Sequence, residues 1–149
     1  MKKQRILIVD DDAEITSMLT AFFESQGYEC DTAADGISAP VKMSSFKPDL
    51  VILDFMMPGA DGGLVFERMG FNIMTEKIPV IFLSALSEKE VASKLKLSPL
   101  LAIMKKPVEL AQLLLQVREL IGTGTPPPKG APPDDDDRPR EKTILDLDS

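Results

Sequence analysis

Two short apolar runs that stop abruptly at acids constrain this chain more than any other feature. Ile6-Leu7-Ile8-Val9 runs into Asp10-Asp11-Asp12, and Leu50-Val51-Ile52-Leu53 runs into Asp54. Four consecutive apolar residues have the length and composition of a strand covered on both faces. In an open parallel α/β sheet the carboxyl ends of such strands converge on one rim, where ligands bind. Acids far apart in sequence are therefore expected to meet in space.

Between residues 5 and 122, short apolar runs alternate with helical periodicity five times, the pattern of repeated βα units around a parallel sheet. Strands are expected over residues 5–9, 29–33, 50–53, 80–83 and 100–104, and only the second, with Tyr28 and Cys30 among polar residues, reads as an edge. Ile15, Met18, Leu19, Phe22 and Phe23 trace one face of a first helix, with Gly27 as its stop. Leu110, Leu113, Leu114, Val117 and Ile121 do the same for a last helix before Gly122. Ser87 and Glu90 have capping-box spacing at the start of the fourth helix. Pro40 would break the second helix from inside, so that helix is expected to begin near Ser38 and to hold Pro40 in its first turn. Gly70 should weaken or end the third.

At 149 residues and 44% hydrophobic, the chain has material for one domain and an appendage. A net charge of −7 gives no basic footprint for nucleic acid or an anionic membrane surface. No run is long enough to insert in a membrane, and the basic Met1-Lys2-Lys3-Gln4-Arg5 is followed by too short an apolar stretch for a signal peptide. The single Cys30 has no disulfide partner, which fits a reducing, cytoplasmic setting. The absence of histidine rules out imidazole ligands and bases.

Composition changes after residue 122. Residues 123–149 hold six of the 12 prolines, a run Asp134-Asp135-Asp136-Asp137 and few apolar side chains. Seven acids against Lys129, Arg138, Arg140 and Lys142 give this stretch −3, leaving −4 for the rest. Such a segment cannot bury enough surface to offset ordering, so domain boundaries at 1–122 and 123–149 are expected, the second part disordered. Its end, Thr143-Ile144-Leu145-Asp146-Leu147-Asp148, alternates apolar and polar residues; it reads as a solubilising tail or a docking peptide.

If the first and third strands are central neighbours, Asp10, Asp11 and Asp54 share one small volume. Two carboxylates 4 Å apart repel by about 4 kcal/mol at an effective dielectric near 20, and a divalent cation relieves that cost. With oxygen donors only, Mg2+ is the natural occupant, since it keeps waters and leaves room for phosphate oxygens. A plainer role, the N-cap of helix one, suits Asp11 or Asp12 but does not account for Asp54. The fourth strand ends at Leu83-Ser84 and the fifth at Lys105-Lys106-Pro107, so a hydroxyl and an ammonium reach the same rim. Ser84 alone reads as a loop residue and Lys106 alone as a solvated charge. Together with the acids they form a phosphoryl-binding set.

Across residues 1–122 the chain resembles a response-regulator receiver domain of two-component signalling. The resemblance rests on Asp10-Asp11, Asp54 with Met57-Pro58 and Asp61-Gly62, Ile78-Pro79-Val80 leading to Ser84-Ala85, and Lys106-Pro107. It implies a flavodoxin-like (βα)5 doubly wound parallel sheet in the order 2-1-3-4-5 and a cis Lys106–Pro107 bond. Asp54 would be the phosphoacceptor, Asp10 and Asp11 metal-binding acids, and Met56 the residue whose backbone carbonyl also coordinates Mg2+. Ser84 would contact the phosphoryl group and Lys106 would pair with it. A sensor histidine kinase or phosphotransfer protein would be the donor, a downstream protein the target. Oligomeric state, a homodimer included, stays open.

Two departures from the family stand out. Ile103 occupies the place of a usual aromatic switch residue, and Ser98-Pro99-Leu100-Leu101 replaces the usual Gly-Ala before the fifth strand. Rival readings are a receiver-fold binding module that signals without phosphate through its fifth-strand face and tail, and a phosphatase built on Asp10 and Asp12. The latter meets Glu14 where its motif wants Thr or Val.

Overall fold

The computed structural model describes residues 3–57, 62–93 and 101–122. Pro58, Asp61, Ser98, Pro99, Leu100 and the expected tail 123–149 lie outside the described residues. Elements alternate as β1 (Arg5–Val9), α1 (Ala13–Ser25), β2 (Glu29–Ala33), α2 (Ser38–Phe46), β3 (Leu50–Asp54), α3 (Gly62–Gly70), β4 (Val80–Ser84), α4 (Glu88–Ala92), β5 (Leu101–Lys105) and α5 (Leu110–Ile121). All pairings are parallel, in the order β2-β1-β3-β4-β5.

Side-chain alternation sorts the sheet into two cores. Leu7, Val9, Val51, Leu53, Val80 and Phe82 meet α2, α3 and α4 through residues such as Met43, Val65 and Val91. Ile6, Ile8, Leu50, Ile52, Ile81 and Leu83 meet Leu19 and Phe23 of α1 and Leu113 and Val117 of α5. Helices on both faces explain why β1, β3 and β4 read as unbroken apolar runs. β2 is an edge, as its polar pattern implies. β5 is the other edge, a correction to reading only β2 as one: its first four residues are half-buried and Lys105 is exposed.

Local signals account for the helix ends. The Asp12 carboxylate accepts from the N–H groups of Glu14 and Ile15 and so caps α1; Gly27, at φ 96°, turns the chain out of it. α2 does begin at Ser38 with Pro40 in its first turn, and its free N–H groups are served from outside by Asp35, whose carboxylate accepts from Ile37, Ser38 and the Ser38 hydroxyl. These bonds hold the exposed Asp35 carboxyl below its usual pKa. Ser87 and Glu90 form a complete capping box on α4. Gly70 ends α3. The Tyr28 hydroxyl donates to the Gly122 carbonyl at 2.8 Å and Gln4 Nε2 to the Ile121 carbonyl, so the end of α5 is tied back to the start of β1 and β2.

The packing implies a sharp contrast along the helices. Leu19→Ala, at a fully buried site, should cost about 2–5 kcal/mol in urea unfolding, whereas Leu115→Ala on the outer face of α5 should change stability by less than about 0.5 kcal/mol. Similar midpoints for the two variants would contradict the two-core description.

Candidate functional site

Three buried strand ends deliver the polar groups. β1 ends at Val9, β3 runs one residue past the expected boundary to include Asp54, and β4 likewise includes Ser84. Asp10, Asp54 and Ser84 are each 5% exposed or less, rare burial for carboxylates. Backbone bonds join the ends: Asp10 N–H donates to the Ala33 carbonyl, Phe55 N–H to Leu83 and Lys106 N–H to Ser84 at 2.8 Å. The last of these carries Lys106 from the edge strand over the acids.

Lys106 Nζ lies 3.1 Å from Asp10 Oδ2 and 3.5 Å from Asp54 Oδ1. Asp10 Oδ1 also accepts from the Asp12 N–H at 2.9 Å, and Asp54 Oδ1 from the Met56 N–H at 3.2 Å. Carboxylate oxygens of Asp10, Asp11 and Asp54 lie within 4.8 Å of one another. Asp11 is exposed, so the cluster opens to solvent on that side. The Ser84 hydroxyl accepts from the Leu86 N–H at 3.0 Å, and its own proton has no acceptor among the described residues. The Lys106–Pro107 bond is cis.

The structure thus brings Asp10, Asp54 and Lys106 into direct contact, with Asp11 beside them and Ser84 one register position beyond Leu83, the partner of Asp54. Met56 donates its backbone N–H to Asp54, and the residue as a whole is exposed. The cap of α1 belongs to Asp12 and not Asp11. Sequence reasoning gave Lys106 a phosphoryl partner but missed its resting pair with Asp10; charge balance among buried acids was the available signal.

Burial, with the Asp10 charge beside it, pushes the Asp54 carboxyl up to about 6 against the pull of Lys106. Burial disfavours the Lys106 ammonium, yet its hydrogen bond to Asp10 and the charges of Asp54 and Asp10 outweigh that and raise its pKa. On β2, burial followed by the charges of Glu24 and Glu29 pushes the Cys30 thiol up to about 12, so it stays a neutral thiol remote from thiolate chemistry.

A doubly wound 2-1-3-4-5 sheet carrying an acid cluster and a lysine on its carboxyl rim defines a flavodoxin-like module with a charged rim. Residues 6–118 match the family described as response regulator receiver domain, and the chain belongs to that family. Receiver domains serve phosphorylation-dependent two-component signalling, bind Mg2+ at an acidic pocket, and interact with histidine kinases or phosphotransfer proteins. The chain is 32% identical to sporulation initiation phosphotransferase F of Bacillus subtilis over 81% of its own length and 96% of the relative's. It is 34% identical to the DNA-binding dual master transcriptional regulator RpaA of Synechocystis over 78% of its length, but spans only 48% of that protein. Among solved structures, Vibrio cholerae chemotaxis protein CheY4 aligns with a TM-score of 0.75 at 25% identity, covering 80% of this chain and all of that one. No helix among the described residues is long and apolar enough to cross a membrane.

A raised Asp54 pKa has a defined stability signature. The folded chain favours the neutral carboxyl, so stability from this group is full below the unfolded pKa near 4 and is lost as pH rises through about 6. In EDTA, Asp54→Asn should be more stable than the parent at pH 7.5 by about 3 kcal/mol, and the gap should nearly close by pH 4. A constant gap across that window would remove the electrostatic explanation.

Proposed function

We propose that the chain is a phosphorylation-dependent switch in which Asp54 accepts a phosphoryl group from a phosphohistidine on a sensor histidine kinase or phosphotransfer protein. The convergence of Asp10, Asp54 and Lys106 at hydrogen-bonding distance carries this reading. Residues 1–122 are taken as the receiver unit and 123–149 as its acidic, proline-rich appendage, consistent with where the family match ends. Output runs through contacts with a downstream protein.

The donor set fits Mg2+, being hard oxygen ligands at one point with no imidazole in the chain. Asp10, Asp11, Asp54 and the Met56 carbonyl would hold the ion, which when bound neutralises carboxylate and phosphoryl charge. Asp54 is the nucleophile. Its carboxylate oxygen attacks phosphorus as the P–N bond breaks, the electron pair leaves with the imidazole, and an aspartyl phosphate results. Lys106 supplies positive charge to the phosphoryl oxygens, and Ser84 offers its unclaimed hydroxyl proton to one of them. Because the carboxylate and not the acid attacks, phosphorylation of the metal-free form is disfavoured below pH 6. The transfer is a self-modification and gives no turnover on a free substrate.

Incubation with acetyl phosphate and Mg2+ should add one phosphate to the intact protein by mass spectrometry, and Asp54→Asn should abolish it. An unmodified parent would leave the phosphate-independent binding module as the better account.

Self-hydrolysis should be slow. The Met56 thioether and the half-buried Leu86 flank the rim with side chains that cannot orient an attacking water. The phosphorylated protein is expected to survive for many minutes in Mg2+; a lifetime of seconds would refute the point.

A further inference from the structure

The first residue of α3 stands against the backbone of the proposed phosphoacceptor. Gly62 N–H donates to the Phe55 carbonyl at 2.9 Å, which brings the two ends of the loop between β3 and α3 together. A Cβ built on Gly62 would fall far inside contact distance of the Asp54 carbonyl oxygen, 2.9 Å from Phe55 Cα and 3.0 Å from Phe82 Cε1. Two of these obstacles are backbone atoms, and only the ring edge of Phe82 belongs to a side chain that could give way. The backbone of Gly62 carries no positive φ, so the reason for glycine here is space and not conformation.

The surroundings make the contact stiff. Phe55 and Phe66 each stack edge-to-face on Phe82 with centroids 5.5 Å apart, joining the residue after Asp54, the middle of α3 and β4 into one aromatic block. α3 therefore cannot back away from β3 without opening that block.

We propose that Gly62 is a positioning residue: its missing side chain lets α3 seat directly on the Asp54 carbonyl, fixing the carboxylate and the Met56 backbone for cation binding and phosphoryl transfer. This deepens the reading of Asp54 as phosphoacceptor and rests on it. Gly62 touches none of the reacting atoms. It acts through the strand end and loop that carry them.

The test uses the full chain in the Gly70→Ala background, since a Cβ on Gly70 meets nothing within 4 Å and adds helix propensity to the same element. Gly62→Ala, Phe82→Leu and the pair are compared with that parent by circular dichroism, by phosphorylation rate with acetyl phosphate, and by the Mg2+ concentration giving half the maximal rate. The folded Gly62→Ala chain should be phosphorylated roughly 100-fold more slowly, the penalty of misplacing a reacting group by about 1 Å, and should need more Mg2+. Phe82→Leu should not rescue it, because the carbonyl remains in the way. A wild-type rate for Gly62→Ala, or full rescue by Phe82→Leu, overturns the proposal. Loss of the folded spectrum in both Gly62→Ala chains also overturns it, since glycine would then serve the fold and not the place of Asp54. A parent that takes no phosphate at all refutes the phosphoacceptor reading instead.

Discussion

The pairing of one ammonium with two buried carboxylates is the interaction on which the rim depends. Asp10 and Asp54 are almost wholly removed from water, and Lys106 is the cation that contacts both. At separations of about 4 Å and an effective dielectric near 20, unit charges repel or attract by about 4 kcal/mol, so the lysine roughly offsets what the second acid costs. Burial of the carboxyl, and after it the Asp10 charge, still outweighs the pull of Lys106, which is why Asp54 keeps a raised pKa. Lys106 arrives only because β5 docks on β4 and hands its next N–H to the Ser84 carbonyl. The last strand in the chain thus completes the electrostatics of acids that the first and third strands supply, and the site cannot form from a partial sheet.

Much of this was legible in the residues because buried parallel strands leave little room for ambiguity. Ile6 to Val9 and Leu50 to Leu53 have apolar neighbours on both faces, so their runs are unbroken and their ends unmistakable. Asp12, Ser87, Gly27 and Gly70 mark helix ends by local chemistry that acts within a few residues. What escaped was set by distance in the fold. Nothing near Tyr28 shows that its hydroxyl reaches Gly122 across the chain, whereas Asp35, three residues before Ser38, carried a local capping signal that went unread. The extension of β3 through Asp54 and of β4 through Ser84 was hidden for another reason: a polar residue looks like a strand's end even where ladder bonds continue past it. The second edge was obscured because Leu101, Ala102, Ile103 and Met104 are apolar though only half-buried.

That half-burial divides the rim mechanically. Asp10 follows and Asp54 and Ser84 end strands paired on both edges, while Lys106 follows a strand with an open edge. Local opening costs least where apolar contacts are fewest, so the ammonium side of the rim is the more deformable one. Ile103 sits on that strand, half-buried against the core shared by α2, α3 and α4. A β-branched side chain has one strongly restricted χ1 and no ring to swing between a buried and an exposed seat. Rotation of a ring at position 103 is therefore not a route by which a change at Asp54 could reach this edge; the backbone contact that joins the two is the Lys106 N–H donated to the Ser84 carbonyl.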